Sequence, residues 1–207
     1  MRIIKEPEVR KNEIIDAAEK LFASKGYDKA TVNDILTATG IAKGTFYYYF
    51  KSKEEVLDAI IRRRIDAGLE RAKAIVSRHE LSPVQKILAA ILAQKSQNPV
   101  EEEFIPVLHE QTNALFHQKV LIDCVTRLTP VLAAIAEEGI EKGVFNTAHP
   151  KESVEILLTA GLIIFDDAYF SWSKAEQAER IPAFLAAMER ILGVKEGSFA
   201  EFTKAFG

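Results

Sequence analysis

At Thr31, Ser52 and Ser173 this chain sets a hydroxyl residue three positions ahead of an acidic one, Asp34, Glu55 and Glu176. Each pair can exchange hydrogen bonds with the free N–H groups of a first helical turn, so each marks a helix start. Ser82-Pro83 is a further start, with proline where its missing N–H costs nothing. Gly26 and Gly40 stop helices, and Gly143 to Pro150 reads as a loop. No segment shows the period-two alternation of a half-buried strand. The chain is therefore expected to be all-α, with about nine helices.

Ile14, Ala17, Ala18, Leu21 and Phe22 form one apolar stripe on the first helix. Two short helices follow, Thr31–Thr39 and Ala42–Phe50, and a long one runs from Ser52 to about His79. Beyond Ser82, helices are expected over Glu101–Phe116, Gln118–Lys142, Glu152–Trp172 and Glu176–Leu192, with Asn98-Pro99 as a break. Pro106 is expected near a helix start or a kink, and Pro130 at a bend. This divides the chain into a small head, residues 1–53, and a larger body, 54–207, with a seam in the long helix near residue 64. Residues 1–64 carry 13 Lys+Arg against 10 Asp+Glu, whereas 65–207 carry 14 against 20. The asymmetry places any phosphate-binding face in the head. Arg62-Arg63-Arg64 is expected to spread around the long helix as solvated charge.

Gly40 to Phe50 reads GIAKGTFYYYF, with three of the chain's five tyrosines side by side. Successive helical residues point about 100° apart, so Tyr47, Tyr48 and Tyr49 cannot all enter one small core. Phe46 and Phe50 are expected inside, with Tyr48 a candidate to join them. Val32, Ile35, Leu36 and Ile41 would complete that core with Leu21 and Phe22. A helix opening on Lys, Gly and Thr and then showing phenol hydroxyls looks like a DNA-reading helix.

Here the resemblance becomes specific. Asn12 to Phe50, NEIIDAAEKLFASKGYDKATVNDILTATGIAKGTFYYYF, followed by Lys51-Ser52-Lys53-Glu54, closely resembles the DNA-binding head of the TetR family of bacterial transcriptional repressors. It implies a helix-turn-helix and a sequence-specific regulator, a homodimer released from a palindromic operator on double-stranded DNA by a small-molecule effector. Lys43, Gly44, Thr45, Tyr47 and Tyr49 match the family's DNA-facing positions. Gly44 would let the backbone approach the groove, and Lys43 would reach a guanine edge. Thr45 and the tyrosines would reach phosphates or a thymine methyl. Thr31 at a helix start, Asn33 and Lys53 would meet the backbone or a base. Tyr49 departs from the histidine that several members carry.

The body carries no diagnostic motif. The resemblance implies a four-helix dimer interface from the last two helices, with Ile156, Leu157, Ala160, Ile164, Trp172, Phe184, Leu185, Met188 and Ile191 as candidates. An effector pocket would draw on Phe104, Leu108, His109, Asn113, Phe116, His117, Asp123, Phe165, Asp166 and Tyr169, which mix apolar walls with a few polar groups. His109 and His117 read better as satisfied structural histidines than as ligands, and no metal or cofactor is expected. Asp166-Asp167 inside an apolar helix could face a cationic ligand or pair across a dimer.

The N-terminal MRIIKEPEVRK is charged almost from its start, no apolar run is long enough to span a bilayer, and the single cysteine, Cys124, fits a reducing compartment. A cytoplasmic protein without a membrane partner is expected. No nucleophile–base pair or carboxylate pair argues for an enzyme. The alternative is a helical protein–protein adaptor or a ligand-binding protein without operator binding.

Overall fold

The computed structural model describes residues 6–94, 114–200 and 202–203. Among these residues regular structure is helical throughout: α1 Pro7–Lys25, α2 Val32–Thr39, α3 Lys43–Tyr49, α4 Lys53–Val76, α5 Pro83–Leu92, α6 Ala114–Glu141, α7 Pro150–Ile164 and α8 Lys174–Leu192. None of these helices is long and apolar enough to cross a membrane. The described residues form two compact units, 6–66 and the remainder from 67 onward, so α4 contributes to both.

In the first unit Ile14, Ile15, Ala18 and Phe22 of α1 pack into a core with Tyr27, Ile35, Phe46, Phe50, Val56, Leu57 and Ile60. The buried face of α1 is rotated from the expected stripe, since Ile15 and Glu19 are inside while Ala17 and Leu21 are only partly covered. Arginines from α4 explain the rotation. Arg63 donates to Asp16 at 2.6 Å and to Glu19 at 2.7 Å, and Arg64 Nε donates to Glu19 at 2.8 Å. The arginine run is thus not simply solvated charge. Arg63 and Arg64 tie α4 to α1, and Arg62 alone is exposed.

The start signals operate as helix caps. Thr31 Oγ1 accepts the Asp34 N–H at 3.1 Å while Asp34 Oδ2 accepts the Thr31 N–H at 2.8 Å. Lys25 Nζ lies 2.8 Å from the same oxygen. The Lys25 and Thr31 hydrogen bonds hold the Asp34 carboxyl down, from 3.8 to about 2. At Ser52 the box is displaced: Ser52 Oγ accepts the Glu55 N–H at 3.3 Å, but Glu55 turns back to the Lys51 N–H at 2.7 Å. Gly40 closes α2 at φ 64°, a left-handed conformation that favours glycine.

The second unit is a layered helical body in which α5 packs on α6, α6 on α7, and α7 on α8. Leu128, Val131, Leu132, Ile135 and Ala136 give α6 a continuous buried stripe, met by Leu69 and Ala72 of α4, Ile87 of α5, Leu157 of α7 and Leu185 and Met188 of α8. Lys86, 1 % exposed, donates to Val76 O and to Glu138 Oε2, each at 2.7 Å. It therefore satisfies the carbonyl of the last residue of α4, which stops short of the expected His79. Lys142 lies 2.6 Å from the other oxygen of Glu138. Lys142 and then Lys86 keep that carboxyl below its usual range.

Two further expectations change. The helix expected over Glu101–Phe116 lies almost wholly outside the described residues, and its expected break from the next one is absent: α6 runs unbroken from Ala114 to Glu141, through Pro130. α7 stops at Ile164 instead of Trp172. Asp166 accepts the N–H of Ala168 at 2.8 Å, a local turn that competes with the helix, and the Trp172 indole donates to the Ile164 carbonyl at 2.9 Å. Beyond α8, Gly193 at φ 63° sits against the Asn146 backbone, where a Cβ would collide. Phe199 and Phe202 then return to the core, and Glu189 accepts the Phe199 N–H at 3.0 Å.

Two outcomes follow from these contacts. Lys86→Ala leaves Glu138 and the Val76 carbonyl without their buried donor, and is expected to cost about 3 kcal/mol in urea unfolding, against under about 1 kcal/mol for the exposed Lys142→Ala. Asp34 has a folded pKa below its unfolded one, so its stabilising effect is complete above about pH 4 and lost as pH falls through about 2. Acid titration followed by circular dichroism should show that loss in the natural protein and a flatter curve in Asp34→Asn.

Candidate nucleic-acid interface

The seven-residue α3 is too short to be stable alone. Fully buried Phe46 anchors it, with the ring of Phe50 6.1 Å away on the same face. Residues four apart share a helix face, so Phe46 and Phe50 mark the inner side of α3, away from the exposed Lys43, Gly44, Tyr47 and Tyr48. Lys43, its first residue, is exposed and its Nζ lies 6.0 Å from the centre of the Tyr47 ring. Gly44 is exposed, and nothing stands within 4 Å of where a Cβ would be. Thr45 and Tyr49 are half-buried, and Tyr47 is 47 % exposed.

Tyr48 is 78 % exposed, more than any other large apolar or aromatic side chain described, and does not join the core. Its ring meets Tyr49 edge-on at 4.9 Å. The reason was available in the sequence: with Phe46 and Phe50 defining the buried face, residue 48 falls about 200° from Phe46, on the opposite side. The outer face of α3 thus presents an ammonium and two phenols, with no carboxylate in the helix to repel a phosphate. Phenol and ammonium groups donate hydrogen bonds, and ring faces suit apolar contact with a thymine methyl.

The other head candidates differ in availability. Asn33 is exposed on α2. Thr31 is exposed too, but its hydroxyl already donates to Asp34 at 2.8 Å and accepts from the Asp34 N–H. Lys53 points inward. Its Nζ donates to the carbonyls of Tyr27 at 2.7 Å and Ala30 at 3.0 Å, and lies 4.0 Å above the Tyr27 ring.

In the body, Phe104, Leu108, His109 and Asn113 lie outside the described residues, as does the side chain of Phe116. His117, Asp166 and Tyr169 come together: His117 Nε2 is 2.7 Å from Asp166 Oδ2 with both side chains 8 % exposed, and the His117 ring is 5.6 Å from that of Tyr169. Asp166 is thus engaged within its own chain. Asp167 accepts from Gln177 at 3.3 Å. Asp123 pairs with Arg127 along α6, and Phe165 meets Phe184 edge-on at 5.5 Å. Of the interface candidates, Leu157, Leu185 and Met188 are buried in the chain's own core. Ile156 is 60 % exposed and Ile191 37 %, with Ala160, Ile164, Trp172 and Phe184 partly covered.

Residues 14–60 match the family model for bacterial regulatory proteins of the tetR family, and residues 84–187 match that for a tetracyclin repressor-like C-terminal domain. The chain is 25 % identical over 171 residues to the fatty acid metabolism regulator protein of Bacillus subtilis, covering 80 % of this chain and 84 % of that protein. With the HTH-type transcriptional repressor KstR2 of Mycolicibacterium smegmatis it shares 32 % over 88 residues, 42 % of either chain. Salmonella enterica GusR has the same fold, with a TM-score of 0.63 at 18 % identity over 93 % of this chain and all of that one. With one model spanning half of the sequence and another covering the helix-turn-helix and its flanking helices, this chain is a member of the TetR family of bacterial DNA-binding transcriptional regulators.

Proposed function

We propose that the protein is a cytoplasmic homodimeric repressor that binds a palindromic operator and leaves it when a small-molecule effector binds the body. The observation that carries the DNA-reading half is the outer face of α3, where Lys43, Tyr47 and Tyr48 are exposed while Phe46 is fully buried. Two such helices, one from each subunit, enter successive major grooves. Lys43 takes a guanine edge, Gly44 admits the groove wall, and Thr45, Tyr47 and Tyr49 reach phosphate or a thymine methyl. Tyr48 joins this set on the strength of its exposure. Thr31 and Asn33 meet the backbone through the first turn of α2, by its N–H groups more than by the occupied Thr31 hydroxyl. Residues 1–53 are the reading domain and 54–207 the domain of dimerisation and effector binding.

The dimer reading is supported by apolar positions left open on α7 and α8. Ile156, Ala160 and Ile163 recur at i, i+4 and i+7, and Phe184, Ala187 and Ile191 at i, i+3 and i+7, all at least partly exposed. Such stripes suit a four-helix interface between two copies. Release requires an effector with different affinities for the DNA-competent and DNA-incompetent forms. The Bacillus subtilis relative regulates fatty acid metabolism, which makes fatty acids and their thioesters the first compounds to assay.

The test is fluorescence anisotropy with a duplex selected by the protein from a random pool. Tyr48→Ala is expected to weaken binding by roughly 1 kcal/mol or more, about fivefold, with the fold intact by circular dichroism. Unchanged affinity in both Tyr48→Ala and Tyr47→Ala would remove α3 as the reading helix. For the dimer, light scattering at micromolar concentration should give twice the chain mass for the natural protein and a shift towards the monomer for Ile156→Asp. A natural protein that is already monomeric would refute the dimer.

A further inference from the structure

We propose that Glu19 is a positioning residue for sequence-specific DNA binding: by holding Arg63 and Arg64 it fixes the register of α4 on α1, and through α4 the placement of α3. The proposal rests on the reading of α3 as the DNA-reading helix.

Glu19 is 9 % exposed, and a carboxylate at that depth needs charged partners. It has two. Its Oε2 accepts from Arg63 Nη2 at 2.7 Å, and its Oε1 accepts from Arg64 Nε at 2.8 Å, with Arg64 Nη2 2.6 Å from the same oxygen. Arg63 Nη1 reaches on to Asp16 at 2.6 Å, one turn earlier in α1. Both carboxylate oxygens of Glu19 are thus engaged by planar guanidinium forks, which tolerate little sliding or rotation of one helix against the other. The apolar packing beside them is less exacting. Ile15 and Ala18 of α1 and Ile60 and Ile61 of α4 are buried, and aliphatic surfaces repack after a small shift more readily than a buried ion pair survives one.

Arg63 and Arg64 lie in the turn of α4 that precedes residue 67, where the body unit begins, so the pairs close the head at its last turn. At its other end α4 begins at Lys53, with three residues between it and Tyr49, and its Val56 and Leu57 share the head core with Phe46. A slide of α4 on α1 is therefore passed to α3.

Position and charge make opposite predictions. Specific binding needs α3 correctly placed in the groove, whereas binding to unrelated duplex is carried by the sequence-independent attraction of cations to phosphate. The experiment measures the affinity of the full chain for the selected duplex and for a scrambled duplex of equal length, at about 150 mM KCl. Glu19→Gln keeps the size of the side chain and removes the charge that holds the two guanidiniums. With the fold intact by circular dichroism, it is expected to bind the selected duplex about fivefold more weakly and the scrambled one within about twofold of the natural affinity. The ratio of the two affinities thus falls. Were the arginines only solvated charge, loss of a carboxylate would leave both affinities alone or raise both, and either result overturns the proposal. Equal loss on both duplexes overturns it too, because a lower folded fraction gives that pattern. If Glu19→Gln does not fold, Arg64→Lys decides by the same ratio, since it keeps the charge and gives up the fork. A lowered ratio supports the proposal, and a natural ratio overturns it. Tyr47→Ala and Tyr48→Ala run in parallel. If both leave the ratio natural, the α3 reading fails on its own account, a result distinct from every outcome for Glu19→Gln.

Discussion

Every helix ends in backbone groups that its own hydrogen-bond ladder cannot reach, and an all-helical chain must satisfy those ends repeatedly. Much of this structure depends on how it does so. Hydroxyl and carboxyl or amide pairs close the starts of α2, α5 and α8. Cations and an indole work at the other ends and in the loops: Lys86 on the last residue of α4, Trp172 on the last of α7, and Lys53 on the loop before α2. Lys86 and Lys53 also tie one element to another, so there satisfying an end and positioning a helix are the same interaction.

In the head this coupling determines what a very short helix can present. α3 is anchored by Phe46 within it and Phe50 just after it, and its conformational freedom is limited by the Gly40 turn before it and α4 after it. Arg63 and Arg64 bind α4 to α1 through Asp16 and Glu19, which makes the long helix part of the head's frame. A frame built from ion pairs and buried aromatics suits a surface that has to meet a stiff, regularly spaced polymer, because side chains placed loosely would lose entropy on binding.

The body uses its polar groups differently. Lys86 with Glu138 and His117 with Asp166 are largely buried pairs within one chain, each joining α6 to a segment remote in sequence. Buried pairs of this kind add little net stability compared with apolar packing, but they strongly disfavour arrangements that would leave either partner alone. The Asp166 pairing also lies beside the loop after α7, where Phe170 stacks on Trp172 at 5.2 Å and the Arg180 guanidinium lies 3.5 Å from the centre of the Trp172 ring.

Helix class, most start points, the Gly40 turn and the family resemblance of the head were legible in the sequence, because caps, turn glycines and apolar periodicity are local and act within a few residues. The outward position of Tyr48, a candidate for the core, was legible too from the spacing of Phe46 and Phe50. Other features needed the folded chain. Glu19 is inside because arginines more than forty positions later reach it. α7 ends at Ile164 because Asp166 finds His117 and its own local turn. Leu157, Leu185 and Met188 read like interface residues, but the body's core takes them, and Phe199 and Phe202 return from beyond the last helix to fill it. Lys53 looks, by sequence, like any lysine beside a DNA-reading helix. Sequence by itself determined where helices begin and which short helix carries the tyrosines; only tertiary structure decided which charges turn inward, because an ammonium or carboxylate goes inside only where distant chain supplies its partner.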